Sequence, residues 1–297
     1  MVPQTPHSRC VPDIGAMRQG KPGIWFRRLH IPERERERER ERCLQKHRLS
    51  LLVFIVLGAA GFSHSILDGS WYPAKATYFP FTDPSEGVGG ACGYGDLVQT
   101  GYGKTNVVAI SDALFNKGAG CGGCYEVKCV DNPQYCKAGT SVNLTATNFC
   151  PPNYALPGSD PGGLCNSPNK HFVLPFMAFT KIAIWKADIM SLQYRRVKCI
   201  RQGGMRFRLT GQGYVIMVLL SNVGGSGEVT NVNIRGTQDG WIPMGRNWGS
   251  IWRVNADLKN QSLSFEVRAS DGPIVTSYNV APPTWQFGQT FEGKQFP

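Results

Sequence analysis

Leu263, Phe265 and Val267 alternate with Ser264, Glu266 and Arg268, the period-two signature of a strand with one face buried and the other in water. Residues 205–209, 214–221, 228–235 and 274–280 are likewise apolar-rich and of strand length. Turn signals such as Gly224-Gly225 and Asp271-Gly272 separate them, a spacing that predicts a small β-sandwich over residues 202–297. The preceding part reads differently. From Gly87 to Gly123 glycine dominates, and short apolar pieces such as Val107 to Ile110 lie between turns, as in a barrel whose strands are joined by tight loops. Two short helices are predicted within 66–201. One is capped by Ser111 or Asp112 and runs to Phe115; the other starts at Pro175 with Phe179, Ile182, Ala183 and Lys186 at helical spacing. The segment Arg201 to Gly204 reads as the linker between the halves.

A third pattern lies near the N-terminus. Leu49 to Leu57 is a nine-residue apolar run behind Lys46, His47 and Arg48, too short for a membrane span but matching a signal-peptide core. Small residues at Ser63 and Ser65 suit cleavage. Upstream, Glu33 to Arg42 is a strict Glu-Arg alternation with no core-forming face. A GA dinucleotide repeat in frame encodes such an alternation, so residues 1–65 are read as a gene-model extension plus signal peptide, and the mature chain as secreted.

Setting that leader aside changes composition. Eight cysteines remain, Cys92, Cys121, Cys124, Cys129, Cys136, Cys150, Cys165 and Cys199, followed by residues 200–297 with no cysteine and four of the seven tryptophans. Behind a secretory leader, an even count of this density reads as a disulfide framework, in any of 105 pairings. Cys121-Gly-Gly-Cys124 has zinc or redox spacing, and Cys129 and Cys136 would complete a ligand set, but secretion favours disulfides. His171 is the sole remaining histidine, which excludes a multi-histidine metal site. Residues 66–297 hold 20 basic and 15 acidic side chains, a modest positive balance without basic and aromatic residues interleaved; it suits an anionic matrix better than nucleic acid. No further apolar stretch approaches a membrane span.

The most specific signals are strings: Gly-Gly-Ala-Cys-Gly-Tyr-Gly at 89–95, Cys-Gly-Gly-Cys-Tyr-Glu-Val-Lys-Cys at 121–129 and Ala-Thr-Asn-Phe-Cys-Pro-Pro at 146–152. Together they resemble the expansins, secreted plant proteins that loosen cell walls. Pro-Gly-Gly-Leu-Cys-Asn-Ser-Pro at 161–168 is similar to the insertion of the alpha subfamily, and Arg246-Asn247-Trp248-Gly249 and Phe287-Gly288-Gln289-Thr290-Phe291 extend the likeness over roughly 71–297. The resemblance implies a mostly β fold: a six-stranded double-psi β-barrel followed by an immunoglobulin-like β-sandwich that binds cellulose. It implies no cofactor and no metal. The expected partners are cellulose and matrix polysaccharides, with no nucleic acid, no stable membrane insertion, and a monomeric chain.

Carried over by position, the resemblance places Asp83, nine residues before Cys92, in the barrel groove with Thr77, Tyr78, Tyr94 and His171. The family's His-Phe-Asp string stands here as His171-Phe172-Val173. A glycosidase of the usual kind needs two carboxyl groups, and valine supplies none, so hydrolysis is not expected. Asp83 remains as a lone acid candidate or as a cap of the loop at Pro84. Glu126, between Tyr125 and Val127, reads as a solvent-facing strand position, and Asp96 is the other acid near the motifs. In the sandwich, Tyr214, Trp241, Trp248 and Trp252 are candidates for a platform on which flat rings stack against pyranose faces; Trp252 and Trp285 are also the better candidates for the core. Sequons stand at Asn143 and Asn260, the first inside a predicted strand. The rival readings are a lytic or hydrolytic enzyme using Asp83 and a carbohydrate-binding module without loosening action.

Overall fold

The computed structural model describes residues 69–79 and 90–297. The leader, Cys10, Cys43 and the candidate acid Asp83 lie outside the described residues.

The first half closes into a barrel of six strands: β1 (Tyr72–Phe79), β2 (Val107–Ile110), β3 (Cys124–Cys129), β4 (Val142–Phe149), β5 (His171–Pro175) and β6 (Met190–Arg196), in the order β1-β5-β2-β4-β3-β6. The pairs β1/β5 and β2/β4 are parallel and the other neighbours antiparallel. Alternation of the pleat sends Ala76, Val127, Leu144, Phe172, Leu174 and Leu192 into an interior where each is almost fully buried. There the Tyr125, Phe172 and Tyr194 rings meet at centroid distances of 5.1 to 5.9 Å. Closure leaves the barrel no unpaired edge.

Helix α1 (Asp112–Phe115) follows β2, with Ser111 at its N-cap but no side-chain capping bond. Ser111 Oγ donates instead to Asn169 O at 2.8 Å and accepts from His171 N at 3.1 Å, joining the helix start to β5. Helix α2 (Phe176–Ile182) begins after Pro175 and buries Ala178, Phe179 and Ile182. It stops earlier than its spacing predicts. Ala183 turns extended and forms a β-bridge with Cys136, and Ile184 N–H donates to Tyr135 O, so the strand-like partner wins over further helix.

All eight cysteines are paired, as Cys92–Cys121, Cys124–Cys199, Cys129–Cys136 and Cys150–Cys165. The zinc reading of Cys121-Gly-Gly-Cys124 fails because its two sulfurs belong to different disulfides.

The second half holds β7 (Arg206–Gln212), β8 (Val215–Ser221), β9 (Val229–Arg235), β10 (Ile242–Trp248), β11 (Ile251–Asn255), β12 (Leu263–Ala269), β13 (Ile274–Ala281) and β14 (Thr290–Glu292), hydrogen-bonded in the order β13-β12-β9-β10-β11-β8-β7-β14. Strands β10, β11 and β14 are additional to those the pattern predicts. The continuous order folds into two layers because β10 changes partner midway: Ile242–Met244 pairs with β9, and Gly245–Trp248 with β11. Each half of β10 is thus an edge on one side, which accommodates Pro243. One core fills the space between the layers, with Phe207 of β7 stacked on Phe265 of β12 at 4.5 Å. Trp285 is buried here and donates its indole N–H to Gln261 O at 3.2 Å.

Candidate functional site

On the barrel, parallel pairing sets Thr77 level with Val173, and antiparallel pairing sets Val173 level with Ala109. Phe172 and Leu174 point inward, so Val173 and His171 share the other side of β5. Thr77 Oγ1 lies 2.9 Å from His171 Nε2. The histidine is 2 % exposed, its Nδ1 has no hydrogen-bond partner among the described residues, and burial together with the charge of Lys75 lowers its pKa to about 4. His171 therefore does not present itself to a sugar. It is a neutral, buried ring that orients the Thr77 hydroxyl beneath the groove surface.

Two more groove candidates are turned inward. Tyr78 packs on α2, 4.8 Å from Phe179 and 5.4 Å from Phe176, because it lies on the core side of β1. Tyr94 is 1 % exposed, accepts a hydrogen bond from Ser250 Oγ at 2.7 Å and packs at a tilt against Tyr102, ring centroids 4.6 Å apart. Burial pushes its phenol pKa well above the ordinary value. Its motif is a docking loop. Glu126 sits on the outer wall of β3, paired with Arg195 at 2.6 Å and Ser141 at 2.7 Å; the Ser141 bond foremost, with Arg195 assisting, lowers its pKa.

The tryptophan platform divides. Trp252 is buried, 3 % exposed, beneath the Arg246 guanidinium at 4.5 Å, so it belongs to the core. Trp241 belongs to the β9-β12-β13 layer, where Arg235 lies 4.9 Å from its ring and 5.5 Å from that of Tyr278. Trp248 and Tyr214 belong to the other layer and are 46 % and 65 % exposed. Register orders that layer's outer face into rows: Arg208, Leu219, Ile251 and Trp248 stand level nearest the barrel; Thr210, Met217, Arg253 and Gly245 come next; Gln212, Val215 and Asn255 lie beside Tyr214. Asn247 Nδ2 reaches Met217 Sδ at 3.8 Å across the same face. From Leu219 to Tyr214 the face runs five residues, roughly 17 Å at strand rise.

Trp248 does not stand alone. A side chain at Gly93 would come within 2.9 Å of Ile251 Cδ1 and 3.2 Å of Trp248 Cη2, and one at Gly249 within 2.6 Å of Cys92 O. Both glycines have positive φ, +82° and +50°, a conformation other residues resist. The barrel loop 90–94 and the β10–β11 turn thus touch backbone to backbone, sealed by Ser250 N–H donating to Cys92 O at 2.9 Å. Further bonds reinforce the seam: Asn222 N–H to Tyr102 Oη at 3.1 Å, Arg196 to Glu228 at 2.6 Å, and Arg201 Nε to Val223 O at 3.4 Å. Arg246 ties both sides, donating to Gly118 O and Gly249 O. Sequence reasoning missed this seam and the Met217–Arg253 row; the glycines flanking Cys92 and Trp248 were its only outward sign.

The barrel thus offers hydroxyl and aliphatic surface at Thr77 and Val173, and the sandwich layer offers exposed rings and guanidinium donors at Trp248, Tyr214, Arg208 and Arg253. The family model described as lytic transglycolase matches residues 107–194, and that of the expansin C-terminal domain matches 205–282. Expansin-A10 of Oryza sativa subsp. japonica is 54% identical over 253 residues, covering 83% of this chain and 97% of the relative. Expansin-A13 of Arabidopsis thaliana is 59% identical over 226 residues, 76% of this chain and 84% of the relative. Among solved structures, apo-Clavibacter michiganensis expansin superposes with a TM-score of 0.57 at 16% identity, over 77% of this chain and 99% of that one. A mutant of that protein in complex with cellohexaose gives 0.54 at 16% identity with the same coverage; at that identity the likeness speaks for the fold. With the barrel, the sandwich and relatives at this identity agreeing from one end of the described chain to the other, the protein belongs to the expansin family and sits among its A-type members.

Proposed function

We propose that this chain is a secreted wall-loosening protein that lays a glucan chain along the barrel surface at Thr77 and Val173 and across the Trp248–Tyr214 face, loosening contacts between polysaccharides without cutting them. Residues 66–201 and 202–297 act as its two modules, working as a monomer at the wall. The observation that carries the reading is the packing of Trp248 and Ile251 onto Gly93. It makes barrel loop and sandwich face one continuous surface, long enough for several sugar units.

Ring faces of Trp248 and Tyr214 stack on pyranose C–H surfaces, while Arg253, Arg208 and Asn247 donate to hydroxyls. Thr77, held by His171, supplies a fixed hydroxyl beside the chain. Hydrolysis lacks its second carboxyl group, because the β5 position level with Thr77 is Val173. Binding energy is therefore spent on holding a chain away from its neighbours. The relatives' name and the cellohexaose complex of the bacterial expansin support the substrate class. Acid-buffered extension of heat-killed walls under load, run with an assay for new reducing ends, tests the reading: creep without reducing ends is expected, and reducing ends rising with creep would overturn it.

A further inference from the structure

A pocket of about 370 Å³ opens on the barrel wall where β1 and β6 run side by side, within the size range of small-ligand sites, roughly 300–1,000 Å³. It shares no lining residue with Thr77, Val173 or the Trp248 face, and it adjoins the barrel surface of the glucan reading at Lys75, which is level with His171 and two residues from Thr77 on β1. Lys75 and Lys170 border it, against a single acid, Asp131. Asn169, Ser191 and Gln193 add hydrogen-bonding groups, and Pro73 and Leu164 add apolar surface.

The walls are built in advance of any ligand. Lys75 N–H donates to Lys170 O at 3.1 Å and Val130 N–H to Ser191 O at 3.0 Å, fixing both borders. The loop carrying Gly158 and Leu164 is stapled by Cys150–Cys165 and held by Asn169 Nδ2 donating to Gly158 O at 2.9 Å. Beyond the pocket the positive character continues. Pro73, Gln193 and Lys128 are level across β1, β6 and β3, and Lys128 Nζ and Arg195 Cζ lie 4.1 and 4.8 Å from the ring of Trp71. Glu126 is taken up by Arg195 and Ser141 and also feels the charge of Lys128, while the pocket itself is lined by two ammonium groups, Lys75 and Lys170, against the one acid Asp131.

We infer that this pocket and the Lys128–Trp71 strip beside it bind a carboxylated sugar polymer, a polyuronate, as a second polysaccharide site. Lys75 and Lys170 bind the carboxylate of a uronic acid unit by charge-assisted hydrogen bonds. Asn169, Ser191 and Gln193 bond its hydroxyls, Pro73 and Leu164 cover its C–H face, and Lys128 receives the carboxylate of a following unit. A neutral glucan offers these ammonium groups hydroxyl acceptors but no opposite charge, so charge sets the preference.

Affinity electrophoresis and titration calorimetry of the full secreted protein against oligogalacturonate test the site, with a neutral cello-oligosaccharide in parallel. Binding of the uronate at low salt is expected, weakened about tenfold in the K75Q/K170Q double variant, while K259Q/K294Q, which removes the same charge from exposed positions of the sandwich, binds as the unsubstituted protein does. Equal losses in both double variants would reduce the effect to net charge and overturn the site, as would an absence of uronate binding. Lysine acetylation footprinting of the unsubstituted protein removes any dependence on variant folding: protection of Lys75 and Lys170 but not Lys259 supports the site, and uniform labelling contradicts it. Cellulose binding measured on the same samples keeps a failure here separate from a failure of the glucan reading.

Discussion

Val173 sits level with Thr77 on the neighbouring parallel strand, half-buried, where a carboxylate would have the Thr77 hydroxyl beside it. Restoring an acid by Val173→Asp is expected to raise acid-induced wall creep; creep identical to that of the unsubstituted protein would show that this position does not limit loosening. His171 makes a separate prediction about pH. The folded ring titrates near 4 and an unfolded histidine near 6.5, so between those values the unfolded chain binds the extra proton. Its contribution to stability is complete above pH 6.5 and is lost as the pH falls toward 4, by at most about 3 kcal/mol. Denaturation midpoints measured at pH 7 and pH 4.5 should show the decline, and His171→Gln should flatten it; a slope unaffected by that change would assign the dependence elsewhere. Tyr94 shows the limit of motif reading. Its string identifies the family, yet a tyrosine between glycines carries no mark of its direction, and its partners Tyr102 and Ser250, the latter 156 residues away, hold it inside.

Among the strands and loops, legibility follows how each is buried. Strand β12 declares itself because one face meets the core and the other meets water, so polarity alternates along it. Strand β10 does not, because it passes from one layer to the other with a bulge between Arg246 and Trp248, and no single face stays buried long enough to set a period. For the same reason Trp252 and Trp248, four residues apart on adjoining strands, have opposite fates that the sequence alone leaves open. The disulfides are legible as a set but not as pairs, since pairing depends on which loops the barrel brings together. Their loop lengths carry a prediction. Closing 75 residues, Cys124–Cys199 constrains the unfolded chain by about 4 kcal/mol in the chain-entropy treatment, whereas Cys129–Cys136, closing 7, contributes about 2. Paired serine replacements followed by chemical denaturation should rank in that order; the reverse ranking would mean that packing around each bridge in the folded protein outweighs the entropy of the unfolded chain. Gly249→Ala should open the seam to Cys92 and lower the thermal midpoint, since its Cβ has no room and its φ is positive.

For the molecule as a whole, fold class and family were within reach of the sequence, because each rests on strings or periodicities that are local in the chain. The proposed glucan surface was not, because it is assembled from a barrel loop and a sandwich turn that meet only after both halves fold. The structure replaces a single row of four aromatic candidates with two exposed rings on the layer joined to the barrel loop, one on the other layer and one in the core. The glucan reading stands or falls on that division, which binding isotherms on microcrystalline cellulose for Trp248→Ala and Trp241→Ala can probe. Loss of one stacked ring is worth on the order of 1.4 kcal/mol, about tenfold in affinity, so Trp248→Ala is predicted to weaken binding by about that factor while Trp241→Ala binds as the unsubstituted protein does; equal weakening by both, or weakening by Trp241→Ala alone, would refute it.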